Sequence, residues 1–232
     1  MGTVRRVREG IDFGDEDAVL AEIARELDID PDELDIKEET GLTGFGTGTV
    51  YEITIKGGHK EWMVVENSDQ EEELAVEIVK QDLEEEPELF EKSFIESHIN
   101  MDRLRRDLTD DVLNNNIETL QDRSDDEFWR EYERGGFDAP EEDEDGNRPE
   151  PNELQIEELA EKQTEEQLSD PMSYLEDIYG ADAAKEAIKI AGIDIDAAAE
   201  DAVDTDGAGH FLSSYDGETH KTKSGLVYWR TN

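Results

Sequence analysis

From Asp15 to Leu34 the chain reads DEDAVLAEIARELDIDPDEL, with Val19, Leu20, Ile23 and Leu27 at helical spacing. That pattern predicts a helix stopping at Asp28 to Asp30, ahead of Pro31. The period then changes from helical to alternating. Two alternating runs flank Gly57 and Gly58 within residues 49–66, which predicts a β-hairpin. With those glycines in the turn, Ile53 faces Trp62 and Tyr51 faces Val64, and both pairs fall on one side of the ribbon.

Helical spacing returns after the hairpin. Ala75, Val79 and Leu83 form one row; Phe90, Phe94 and Ile95 another; Met101, Leu104, Leu108 and Val112 a third. These helices are expected to cover the apolar face of the hairpin. Phe128, Trp129 and Tyr132 close the segment before Gly135 and Gly136. Residues 137 to 158 then carry ten acids, three prolines and one basic residue. So few apolar groups cannot offset chain entropy, which predicts a linker followed by a weakly amphipathic helix.

Beyond it, Asp170 and Pro171 have the form of an N-cap and first helical position, with Met172, Leu175 and Ile178 following at intervals of three. Gly180 and Gly192 stop this and a further helix, and residues 194–203 supply a third. Asp216-Gly217 and Ser224-Gly225 are turn signals that divide residues 209–232 into three short runs, read as an antiparallel meander. The expected fold class is α+β: an N-terminal module over 1–136 with the hairpin, an acidic linker and weak helix over 137–168, and a small module over 169–232 ending in the meander.

Charge changes the picture next. Acids outnumber bases 66 to 22, the net charge is -44, and 34% of residues are hydrophobic. Such a chain repels nucleic acid and anionic membrane surfaces, so no direct contact with either is expected. The acids are spread through every predicted element, which favours salt adaptation: at molar salt the Debye length falls to roughly 3 Å and self-repulsion is screened. Disorder suits the linker but conflicts with the periodic apolar positions elsewhere. Mimicry of a DNA phosphate surface is the remaining reading of the acidity. No apolar run approaches a membrane span, MGTVRRVREGIDFGDED has no apolar signal core, and cysteine is absent. The expectation is a soluble cytoplasmic protein.

No motif names a reaction. GFGTG at 44–48 leads into a strand, whereas phosphate-cradling glycines lead into a helix. The run of Asp28, Asp30 and Asp32 with Glu39 twelfth resembles a calcium loop, but Glu33 occupies the position that needs glycine. A second run has Gly146, yet starts at Glu141 and ends at Asn152. His59, His98, His210 and His220 show no ligand spacing, and Ser213 and Ser214 lack a nucleophile elbow. Arg5, Arg6 and Arg8, and Arg103, Arg105 and Arg106, are hemmed by acids and are expected to pair internally. No catalytic residue, metal or cofactor is expected.

The last 24 residues differ from the rest, with two acids against three basic residues where the preceding 208 hold 64 against 19. Their segments DGAGHFLSSYDGETH and GLVYWRTN resemble a family of accessory proteins encoded by tailed viruses and mobile elements, and GTVYEITIKGGHKEWMVVENSDQEEELAVEIVKQDLEEEPELF resembles the front half of such proteins. The resemblance implies a genomic setting and carries no activity; with the acidic composition it implies a halophilic, haloarchaeal setting. The expectation is a non-enzymatic accessory protein that binds a protein partner, with Phe211, Tyr215, Tyr228 and Trp229 as docking residues. An acidic DNA mimic directed at host defence and a carboxylate-metal enzyme are the alternatives.

Overall fold

The computed structural model describes residues 11–38, 42, 48–143, 145 and 148–232. Arg5, Arg6, Arg8, Glu39, residues 44–47 of the glycine-rich run and Gly146 lie outside the described residues. Among those described, the elements are α1 (Glu16–Leu27), β1 (Leu34–Glu38), β2 (Tyr51–Ile55), β3 (Glu61–Val65), α2 (Ser68–Glu85), α3 (Lys92–His98), α4 (Met101–Gln121) and α5 (Asp125–Arg134). There follow α6 (Glu153–Gln167), α7 (Pro171–Tyr179), α8 (Ala183–Ala191), α9 (Ile195–Asp206), α10 (Ala208–Leu212), β4 (Thr219–Lys221) and β5 (Val227–Arg230). Helix makes up about 61% of the described residues and the strands form one antiparallel sheet, so the fold is α+β as expected.

The division of the chain differs from the expected one. Residues 1–86 and 195–232 form one compact unit, and residues 87–194 form the other. The acidic stretch 137–168 is therefore interior to a unit rather than a boundary, and residues 169–232 are shared between the two.

In the first unit the sheet runs β1-β2-β3-β5-β4. The hairpin has the register read from the sequence, Tyr51 opposite Val64 and Ile53 opposite Trp62. Its turn is closed by the Gly58 N–H donating to the Ile55 carbonyl at 2.9 Å, with Gly57 at φ 71°. Strand alternation then places Leu34, Tyr51, Ile53 and Val64 on one face, where Val19, Ile23 and Ala24 of α1 pack against them. The opposite face carries Met63, Val65, Val227 and Trp229, all buried. Thr219 shares that face as the partner of Trp229, and its hydroxyl bonds Glu71 of α2. The hairpin thus buries apolar side chains on both faces, against α1 on one and towards α2 on the other, where Glu52 and Thr54 of β2 share the face with Met63 and Val65 of β3. The helices α3 and α4, expected to cover it, belong to the other unit.

The expected three-stranded meander is two strands and a helix. Residues 208–212 form α10, which starts after Gly207 at φ 83° and packs on α2 and α9. At Gly209 a Cβ would lie 2.6 Å from the Gly217 carbonyl oxygen, so only glycine lets α10 abut the turn before β4. The last strand is pinned at its end, where the Thr231 N–H donates to the Glu61 carbonyl at 3.1 Å. Ser224, in the turn between β4 and β5, donates to Glu22 of α1 at 2.9 Å.

In the second unit the stretch read as a linker is tied down. Phe137 stacks on Tyr132 with centroids 4.8 Å apart, Trp129 donates from Nε1 to the Pro149 carbonyl at 2.9 Å, and Arg148 pairs with Glu133 at 2.9 Å. The helix read as weak, α6, is capped by Asn152 and Gln155 in a reciprocal capping box and buries Leu159 and Ala160 against Leu120, Phe128, Trp129 and Tyr132. Asn116 of α4, itself buried, donates to Thr164 and Gln167 of α6 at 3.0 Å. Prolines and acids disfavour regular structure ahead of α6, but a few large apolar and arginine side chains anchor the stretch.

Candidate functional site

The four docking residues expected from the sequence separate on folding. Trp229 is 1% exposed and sits in the core, because β5 is an inner strand and its inward face meets Met63 of β3. It cannot meet a partner, which corrects that expectation. Tyr228 points to the α1 face, half-buried, with its ring 5.3 Å from that of His220. Phe211 is half-buried on α10 beside His210. Tyr215 remains, at 57% exposure.

Tyr215 is held as well as exposed. The Arg230 guanidinium lies 3.6 Å from its ring centroid, a close cation–π stack. Arg230 Nε is buried without a hydrogen-bond partner, so the ring stack is the contact seen for that guanidinium among the described residues. The loop carrying Tyr215 is set by its neighbours: the Glu218 N–H donates to Asp216 Oδ1 at 3.1 Å, and Ser213 Oγ lies 2.8 Å from Asp216 Oδ1 and 2.9 Å from the Arg230 carbonyl oxygen. The Ser213 hydroxyl and the Glu218 N–H hold the Asp216 carboxyl below its ordinary range. Ser213 is thereby a turn-former. It neither faces a histidine across a strand pair nor lies in a nucleophile elbow.

The remaining sequence candidates have structural uses. Asp28 caps α1 in the left-handed region at φ 56°, and Asp30 accepts from the Asp32 N–H at 3.0 Å. His98 Nδ1 lies 2.9 Å from the Phe94 carbonyl oxygen. Arg103 and Arg106 both reach Asp107, at 3.4 and 3.2 Å, and Arg105 donates to the Leu168 and Ser169 carbonyls at 2.9 and 3.2 Å. Among the described residues no three His, Asp or Glu side chains converge where they could hold a metal ion.

Two concavities of the second unit were not legible as sites in the sequence. A groove of about 630 Å³ lies between α4 and α6, lined by Leu113 and Leu168 and by Arg105, Glu161 and Glu165. A polar cleft of about 340 Å³ is lined by Arg123, Glu127, Arg130, Glu131 and Arg134. Its signal was present as spacing: 127, 130, 131 and 134 form one stripe of α5, opposite Phe128 and Tyr132. Arg123 pairs with Glu131, and Glu131 also accepts from Gln163 at 3.1 Å. Arg123 above all holds the Glu131 carboxyl below its ordinary range.

Comparison of the chain with protein-family models, with curated proteins and with solved structures finds no match. Among the described residues no helix is long and apolar enough to cross a membrane.

Proposed function

We propose that this chain is a non-enzymatic accessory protein that acts by binding another protein, and that the exposed Tyr215–Arg230 stack is the centre of its docking surface. The observation that carries the reading is that stack: a 57% exposed tyrosine against an arginine at 3.6 Å, in a near-neutral segment of a chain of net charge -44. Tyrosine and arginine are the side chains that most often dominate protein interfaces, because both bring large contact area with few freely rotating bonds or a planar fork of donors. A turn that already orders both lowers the entropy lost on binding. The acidic composition and the resemblance of the tail to virus-encoded accessory proteins support a halophilic virus or mobile element as the setting, with the host's high-salt cytosol as the compartment.

The test is a photo-crosslinking amino acid at position 215, compared with the same group at Glu84 on the exposed side of α2. Position 215 should capture one protein that position 84 does not. Capture at neither position, or equally at both, would refute the docking surface. The alternative of DNA mimicry rests on the net charge; it requires that duplex DNA added before irradiation prevent the capture, and undiminished capture in excess DNA would remove it.

A further inference from the structure

The polar cleft on α5 concentrates arginines in a protein where acids outnumber bases three to one. Three of the 22 basic residues, Arg123, Arg130 and Arg134, line one cavity of about 340 Å³. A solvated helix face balanced by ion pairs would have each arginine on a carboxylate. Arg123 is so paired, with Glu131. Among the described residues no carboxylate lies within ion-pair distance of Arg130 or Arg134; Arg130 uses only its Nε, on the Asp126 carbonyl at 2.9 Å. That bond orients the guanidinium and leaves its terminal NH₂ groups free to donate.

Each of the two carboxylates of the cleft already has a donor. Glu131 accepts from Arg123 and Gln163, and Glu127 accepts from the Ser124 hydroxyl at 3.0 Å. Neither carboxylate lies within ion-pair distance of Arg130 or Arg134, although Arg134 is near enough to add to the attraction that holds the Glu131 carboxyl ionised, so among the described residues the terminal donors of both arginines carry no direct ion pair. These stand one turn apart on α5, where two like charges destabilise the helix slightly unless an anion lies between them. Both are exposed and can be reached from solvent.

We infer that this cleft binds a tetrahedral oxyanion, namely the phosphate group of a small ligand. A guanidinium presents a planar fork that takes two oxygens at once, and a carboxylate offers only two oxygens in one plane. A phosphate offers further oxygens to a second fork, which suits two arginines with unused donors and a third at the rim. The cavity is several times larger than one water, whose share of liquid volume is about 30 Å³, so it holds the anion with room for the body that carries it. Its polar walls make it unsuited to an apolar ligand. The net charge of the chain opposes long-range attraction of anions, so recognition rests on short-range contacts.

The experiment is a calorimetric titration of the full chain with inorganic phosphate in molar KCl, with sulfate and acetate as comparison anions. Phosphate should bind saturably and more tightly than acetate; sulfate separates a requirement for tetrahedral shape from one for phosphate itself. Arg130→Gln and Arg134→Gln should each weaken binding about tenfold or more, the loss expected for one charged hydrogen-bonding group, while Arg106→Gln on the surface of α4 should leave it unchanged. Arg130→Lys keeps the charge and the helix, so it should fold and still lose affinity, because an ammonium cannot form the fork. Absence of saturation, equal affinity for acetate, or binding untouched in the Arg130→Gln, Arg134→Gln double variant would overturn the site.

Discussion

Tyr215 and Trp229 lie in the same near-neutral tail, and their fates differ by which way one strand faces. Removing Trp229, 1% exposed between Met63 and the α2 side of the sheet, leaves a cavity the surroundings cannot fill. Trp229→Ala should lower the unfolding free energy by about 3–5 kcal/mol, read by urea unfolding in molar KCl. Tyr215→Ala loses only an exposed stack and should cost about 1 kcal/mol or less. Equal losses for the two would mean that the burial assigned here is wrong. Gly209 makes a sharper demand, since a methyl there meets the Gly217 backbone oxygen at 2.6 Å. Gly209→Ala should therefore cost about 1–3 kcal/mol as α10 is pushed off the turn. Trp229 and Tyr215 look alike in the sequence because aromatic type marks both core and interface residues; only the pairing of β5 with β3 separates them.

At the scale of elements, helices with strong caps or long apolar rows were legible and short ones were not. The helix α7 begins as the sequence indicated, with Asp170 accepting from the Ser173 N–H at 3.0 Å. The Ser173 backbone and hydroxyl, with Lys92 adding a smaller attraction, hold the Asp170 carboxyl below its ordinary range. A carboxyl depressed on folding contributes stability above the unfolded value near pH 4 and loses it as pH falls through the folded value. Amide exchange over 171–179 should accordingly quicken as pH falls below about 4 relative to the intrinsic rate. Asp170→Ala should cost about 1 kcal/mol at neutral pH and remove that acid dependence; an unchanged pH profile in the variant would exclude the cap as its source. The helix α10 was read as a strand because five residues do not define a period, and its helical state depends on packing against α2 and α9. The helix α6 looked weak because glutamates dilute its apolar row, yet Leu159, Ala160 and the bond to Asn116 place it in the core of its unit.

For the molecule as a whole, the division into 1–86 with 195–232 and 87–194 has consequences for fragments. Residues 87–194 expressed alone should retain helical circular dichroism and unfold cooperatively. Residues 1–86 without 195–232 lose β5 from the free edge of β3, expose Met63 and Val65, and should fail to form a stable sheet. The net charge of -44 adds a prediction tied to the proposed salt adaptation: the unfolding free energy should rise steeply from low to molar KCl, and a fold indifferent to salt would contradict it. By itself the sequence determined the α+β class, the hairpin register, the stop of α1, the N-cap of α7 and the acidic, cysteine-free character, because these depend on residue type and on neighbours a few positions away. Tertiary structure alone decided that the strands before residue 66 and those after residue 218 share one sheet, that the acidic stretch is anchored within a unit, and that Trp229 is core while Tyr215 is exposed. Those outcomes rest on contacts between residues distant in sequence, whose pairing no local period or composition encodes.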